Sequence, residues 1–236
     1  MNCPSADFSN ELERERSRHD AYELFMRFFK VEISQDLFAC LQGNDLLTFD
    51  NATKRNENVE MILSGLHLMK SYFVSDGASK LDLDRDYAKV FCGAGSTNCT
   101  AAYPFESLYT SKERLLMQEA RDSVLKWYAR HGLGKASSWK DCEDHLAVEL
   151  EFLVYLIGES IAALEKGDIE WARALAKEQQ GFMAEHLVNW VPTFATQVVK
   201  HARTDFYQGA ALMLEGYLLS DFSEIQAIGV TEPRES

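Results

Sequence analysis

The chain has 236 residues, 46% of them hydrophobic and 26% charged, so it can bury a large core without disulfide or metal staples. Its net charge of −13, from 24 basic and 37 acidic side chains, argues against a protein that tracks nucleic-acid phosphates, which needs a basic footprint. Five cysteines without a C-x-x-C pair argue against a disulfide framework or a zinc site. The first residues lack the basic and apolar regions of a signal peptide, and no apolar run reaches the ~20 residues of a membrane span. A cytoplasmic protein with no membrane insertion and no nucleic-acid partner is expected.

Apolar residues recur with the helical period nearly everywhere. Residues 11–20 carry both charge signs densely, which predicts an exposed helix start. Leu24, Phe25, Phe28 and Phe29 then form one broad apolar face. A short helix with Leu37, Phe38 and Leu41 is expected to stop at Gly43. Residues 44–55 read as loop. The next helix carries Val59, Ile62, Leu63, Leu66, Met69 and Phe73, and Asp76-Gly77 should end it. A further helix near Leu81–Phe91 follows.

At residues 92–104 the pattern breaks into two glycines, small polar residues and Pro104. This segment reads as a hinge between an N-terminal helical lobe (1–91) and a C-terminal one (105–230), with a frayed tail at 231–236. It is also the natural hinge for a domain-swapped homodimer. Thr110-Ser111-Lys112-Glu113 has the pattern of a capping box and predicts a helix running to Gly132. Leu146, Leu150, Leu153, Ile157, Ile161 and Leu164 form the most regular core stripe, closed by Gly167, with Asp168 as cap of the next helix. That helix holds Trp171, Leu175, Phe182, His186 and Trp190 and should end near Pro192. Thr193 and Thr204 look like caps of two last helices. With no alternating strand, the expected class is all-α: a two-lobed helical bundle of about ten helices.

Two constellations stand out. Residues 141–170 hold nine acids and one base. Asp141, His145 and Glu149 at i, i+4, i+8 would share one helix side. The reading with no functional content is capping plus a solvated face. The functional readings are a docking site for a cationic partner or a metal site. For metal, His145 and Glu149 could join Glu185 and His186, although the paired Glu-x-x-His of helical di-iron sites is missing. The second constellation is Tyr103-Pro104-Phe105-Glu106-Ser107-Leu108-Tyr109, either a plug under the core or the lip of a groove for an apolar peptide. His67, His186, Trp127, Trp171 and Trp190 read as core groups. No phosphate loop, H-E-x-x-H or G-x-S-x-G is present, so no cofactor and no catalytic residue is assigned.

Four stretches in order resemble the TorD/DmsD/NarJ family: residues 103–109, Asp141-Cys-Glu-Asp-His-Leu-Ala-Val-Glu-Leu-Glu-Phe-Leu at 141–153, Phe182-x-x-x-His186-Leu-x-x-Trp190-x-Pro192-x-Phe194, and Phe206-Tyr207. Ala21–Phe25 and Asp86–Gly93 agree more weakly. The resemblance implies an all-helical, non-enzymatic cytoplasmic chaperone. It would bind the twin-arginine signal peptide of a molybdopterin-containing oxidoreductase precursor, delay its export and assist cofactor insertion. The family's Glu-Pro-x-Asp-His stretch falls on Asp141, Cys142, Glu143, Asp144 and His145, with Asp for Glu and Cys for Pro here. The implied peptide-binding residues are Pro104, Phe105, Glu106, Ser107, Tyr109, Asp141, Asp144 and His145. Asp141, Asp144 and His145 would engage the basic end, and Pro104, Phe105 and Tyr109 would line the groove. The alternatives are a helical metal-binding enzyme using His145, Glu149, Glu185 and His186, or a NarJ-like adaptor for a non-exported subunit.

Overall fold

Side-chain oxygens start several of the helices. Ser34, Asn56, Ser79 and Asp168 accept from the backbone amides of Leu37, Val59, Asp82 and Trp171, each filling one of the orphan donors of a first turn. The computed structural model describes residues 6–43, 55–75, 77–95, 101–136 and 139–230. Its helices are α1 (Ala6–Lys30), α2 (Gln35–Gln42), α3 (Glu57–Val74), α4 (Lys80–Val90), α5 (Ser107–Thr110), α6 (Glu119–Arg130), α7 (Leu146–Glu165) and α8 (Ile169–Phe182). A π-helical turn (Met183–Leu187) joins α8 to α9 (Val188–His201), and α10 (Asp205–Val230) follows. The all-α class is observed. Among the described residues the only extended pairing is an isolated antiparallel bridge, Phe105 with His145. No helix among them is long and apolar enough to cross a membrane. Residues 44–54 of the expected loop at 44–55, Asp76 of the expected Asp76-Gly77 stop, the centre of the hinge at 96–100, the tail 231–236, and Cys3 and Cys99 lie outside the described residues. The three described cysteines, Cys40, Cys92 and Cys142, are free thiols.

Neighbours in space are distant in sequence: α1 packs along α7, and α3 along α10. The second pair is held at backbone contact. A Cβ added at Gly65 would lie 2.5 Å from the Gly209 carbonyl, and one at Gly216 would lie 2.5 Å from that of Asn58. Glycine inside a helix costs about 1 kcal/mol against alanine; here it permits the crossing. Both pairs feed one core, in which Phe28, Phe29, Phe194, Phe206 and Trp190 are fully buried. The visible ends of the 92–104 segment are tied to the end of α4, since the Ala94 and Ala102 amides donate to the Ala88 and Val90 carbonyls.

Several local expectations are corrected. Thr110 does not open a capping box. It is the last residue of α5, its hydroxyl donates to the Glu106 carbonyl, and the next helix starts only at Glu119. Pro192 does not end a helix; it sits inside α9, and Thr193 is helix interior rather than a cap. A π turn precedes the Val188–Pro192 turn, in which proline has no N–H to give the Val188 carbonyl, and the helix continues past it. Trp171 and His67 are exposed, not core. The charge run at 11–20 is partly buried. Arg18, 4% exposed, donates to both Asp221 oxygens (2.7 and 3.1 Å), to Glu15 (2.9 Å) and to Gln179 (2.7 Å).

Candidate functional site: the 103–109 lip and the start of α7

The first turn of α7 begins at Leu146, so Asp141, His145 and Glu149 do not share a helix side: Asp141 lies in the preceding loop, and His145 is the cap. The His145 Nδ1 accepts from the Ala147 amide at 3.0 Å, which requires that nitrogen to be unprotonated. Burial, with the nearby Lys30 charge, lowers the imidazole to about 3. The ring is therefore a neutral fixture over the neutral pH range.

Onto this turn the lip is pinned by backbone and side chain together. The Leu146 amide donates to the Pro104 carbonyl (2.9 Å) and the Glu106 amide to the Asp144 carbonyl (3.0 Å). The Asp144 carboxylate accepts from the Ser107 amide at 3.0 Å and from the Ser107 hydroxyl, capping the short α5. Asp144 and Ser107 are both 0% exposed. The second oxygen of Asp144 has no partner among the described residues.

Behind the lip lies a buried polar group. Glu106 meets the Nδ1 of His186 at 2.8 Å, and Glu149 accepts from the Trp190 indole at 3.1 Å. Ligand atoms of Glu106, Glu149 and His186 all lie within 4.8 Å of one another. Burial first, then the charge of Glu106 and a hydrogen bond with it, then the Asp144 charge, push Glu149 well above the usual carboxylate range. Burial and the neighbouring carboxylates thus favour the protonated form of Glu149, whose second oxygen has no hydrogen-bond partner among the described residues. These three are the residue types that can hold a divalent cation. Of the metal set that the sequence offered as an alternative, Glu149 and His186 meet and Glu185 lies 3.6 Å from His186, but His145 is not among them. His145 is occupied as a cap, while Glu185 accepts from the Ser123 hydroxyl and from the Trp127 indole at 3.1 Å. At the π turn His186 meets Glu106 with Nδ1, while its Nε2 lies 3.4 Å from the Ser123 hydroxyl of α6 and 3.6 Å from Glu185.

Tyr109 stacks on Trp190 (5.3 Å, 28°). With Tyr103, Phe105, Leu108 and Leu116 it walls an open groove of about 430 Å³ that Arg114 also borders. Unforeseen in the sequence, Arg114 and Met117 take left-handed backbone angles (φ 51° and 58°), and Leu115, Leu116 and Met117 stand 50%, 42% and 63% exposed beside the groove. Such strain in non-glycine residues costs of order 1–3 kcal/mol each.

Of the acids in the 141–144 stretch, only Asp141 is exposed. Glu143 is held by Arg121 (2.6 Å) and Lys135 (3.4 Å), and Arg121 keeps its carboxyl below the usual range. Asp141 has company that sequence spacing hides. Glu32, just past α1, acts with it on Cys92, whose thiol is pushed up by burial and then by these two charges. Both carboxylates are exposed.

A family model described as nitrate reductase delta subunit matches residues 55–196. Chaperone protein TorD of Vibrio vulnificus is 24% identical over 207 residues, covering 86% of this chain and 92% of its own. Chaperone protein TorD of Photobacterium profundum is 26% identical over 209 residues, with the same coverage of each chain. That of Aliivibrio fischeri is 25% identical over 143 residues, 61% of this chain and 64% of its own.

Proposed function

The chain belongs to the TorD/NarJ family of chaperones, which are not enzymes, and on that premise we propose that it serves molybdoenzyme maturation by binding the twin-arginine signal peptide of an oxidoreductase precursor in the cytoplasm. Binding delays export and keeps the client open for cofactor insertion. The observation that carries this reading is the lip itself. Residues 103–109 are pinned to the first turn of α7, so that Phe105 and Tyr109 wall an open apolar groove.

The residues divide by exposure. Phe105 and Tyr109 touch the peptide. Asp141, helped by Glu32, pairs the arginines, each of which can bond a carboxylate bidentately. Pro104, Glu106, Ser107, Asp144 and His145 are buried, and in this reading they are positioning residues that hold the lip in place. Exposed ion pairs contribute only about 0–1 kcal/mol each. The apolar groove therefore supplies most of the affinity, and charge supplies selection and encounter rate.

Calorimetric titration with twin-arginine signal peptides of molybdoenzymes from the same genome, against twin-lysine controls, tests the reading. Selective binding of one arginine peptide is expected. Folded protein that binds none of them would leave the NarJ-like role, on a non-exported subunit.

A further inference from the structure

Three parts of the chain each deliver a metal-binding side chain to the group behind the lip. Glu106 comes from the lip, Glu149 from α7 and His186 from the π turn, and their ligand atoms all lie within 4.8 Å of one another. They are 3%, 0% and 1% exposed. One imidazole and two carboxylates make a donor set for a first-row divalent cation such as zinc, cobalt or manganese. Bonds of about 2.1 Å to each ligand set the ligand atoms roughly 3–4 Å apart, so small side-chain shifts close the group around an ion.

Two further observations point to a cation. The first is an unmet demand. The Glu149 Oε2 accepts from the Trp190 indole at 3.1 Å, but its Oε1 has no donor among the described residues. Neither has the Oδ1 of the neighbouring Asp144, which is also 0% exposed. Buried carboxylate oxygens without a partner are costly, and coordination to a metal is one of the few ways to satisfy them. The second is the outer layer. Ligating histidines direct their other ring nitrogen at a carboxylate, carbonyl or water, and ligating carboxylates are themselves hydrogen-bonded. His186 turns Nδ1 to Glu106 at 2.8 Å, and its Nε2 lies 3.4 Å from the Ser123 hydroxyl and 3.6 Å from Glu185. Glu185 is fixed in turn by Ser123 and the Trp127 indole, and Glu149 by the Trp190 indole. Groups outside the set thus orient both the imidazole and a carboxylate. His19, Asp20 and Glu23 also come within ligand distance of one another, but at the surface of α1 and with no such layer.

We propose that Glu106, Glu149 and His186 bind one first-row divalent cation, through the His186 Nδ1 and an oxygen of each glutamate, with Glu185 as the outer partner of the imidazole. Because the ligands come from the lip, α7 and the π turn, the ion clamps the lip to the bundle from behind. The site is distinct from the peptide groove and does not depend on the function proposed above.

Cobalt(II) titrated into the untagged, full-length protein, stripped beforehand with a chelator, tests the site. One equivalent should bind, with the visible absorption of nitrogen and oxygen coordination and without the near-ultraviolet band of thiolate ligands. Zinc should displace it. Glu149→Gln keeps the shape of the side chain and should lower the affinity more than about a hundredfold. Glu185→Gln, at an exposed residue, should lower it about tenfold, as loss of an outer partner does. His19→Ala should bind as wild type does. Wild-type protein that takes up neither ion would overturn the proposal, as would equal uptake by Glu149→Gln, loss of uptake in His19→Ala, or a thiolate band. If Glu149→Gln fails to fold, Glu185→Gln decides: full affinity overturns the site and a loss supports it. The readout is the metal, so the peptide reading stands or fails on its own calorimetry.

Discussion

Arg18 and Glu149 are both buried among carboxylates, and the two places are neutralised by different means. At Arg18 a guanidinium bonds Asp221 through two nitrogens and bonds Glu15 as well, and Tyr22 adds a donor to Asp221 at 2.7 Å. The cluster ties α1 to α10 and, through Gln179, to α8. At Glu149 no arginine or lysine among the described residues makes a hydrogen bond or ion pair: Glu106, Asp144 and Glu149 lie near one histidine and one indole, and burial with the two neighbouring charges favours a proton on Glu149. A fixed cation makes a joint that is indifferent to pH over the ordinary range. A proton makes one that is not, and it lies directly behind the lip.

The largest test of this contrast is Arg18→Met. It leaves Glu15 and Asp221 buried without their cation and should cost about 3–5 kcal/mol in urea denaturation. A loss under 1 kcal/mol would mean that the cluster is dispensable. Next, Glu149→Ala should cost about 2–3 kcal/mol, since it opens space and strands the Trp190 indole. Glu149→Gln should stay within about 1 kcal/mol of wild type near pH 4.5, because an amide replaces a neutral acid of the same shape.

The pH dependence sharpens the comparison further. A carboxyl raised in the folded state binds more protons folded than unfolded, so its contribution is present at low pH and lost as pH climbs from about 4.5 through the folded value. The melting temperature of Glu149→Gln should therefore gain on wild type as pH rises above 4.5, and a constant gap would break the assignment. His145 has the opposite sign. Lowered to about 3 from an ordinary 6.5, it supports the fold above 6.5, and that support is lost as pH falls toward 3. His145→Asn, which keeps a capping acceptor, should flatten the acid side of the stability profile. The smallest effect belongs to the exposed pair Arg16–Glu165, 2.6 Å apart, where Arg16→Ala should change stability by less than about 0.5 kcal/mol.

Most helices were legible because their apolar residues repeat with the helical period, as along Leu146–Leu164. What escaped was whatever depends on chains meeting. Spacing read Asp141, His145 and Glu149 as one face, but the helix starts one residue after His145 and leaves Asp141 behind in a loop. The Thr110–Glu113 pattern was sound locally and lost to the anchoring of α5 by Asp144. Pro192 reads as a stop in the sequence, yet it lies inside α9, because the helix is held by packing that local spacing does not show. The residues of the lip were visible as an adhesive segment. Their division into exposed walls and buried pins was not, since the Glu106–His186 pair spans 80 positions, and Glu32 and Asp141, both acting on Cys92, come from the end of α1 and the loop before α7. His186 as a satisfied core group was the correct reading, and only its partner was hidden.

The crossing of α3 and α10 at Gly65 and Gly209 has a consequence for synthesis. A growing chain emerges from the ribosome N-terminus first, at about 5–20 residues per second. When Glu57–Val74 appears, the surface it must press against, Asp205–Val230, does not yet exist. Its apolar side, with Val59, Ile62, Leu66 and Met69, stays uncovered until more than a hundred further residues have been made. The chain thus cannot finish its fold piecemeal, and this side of α3 waits for the last helix to be made.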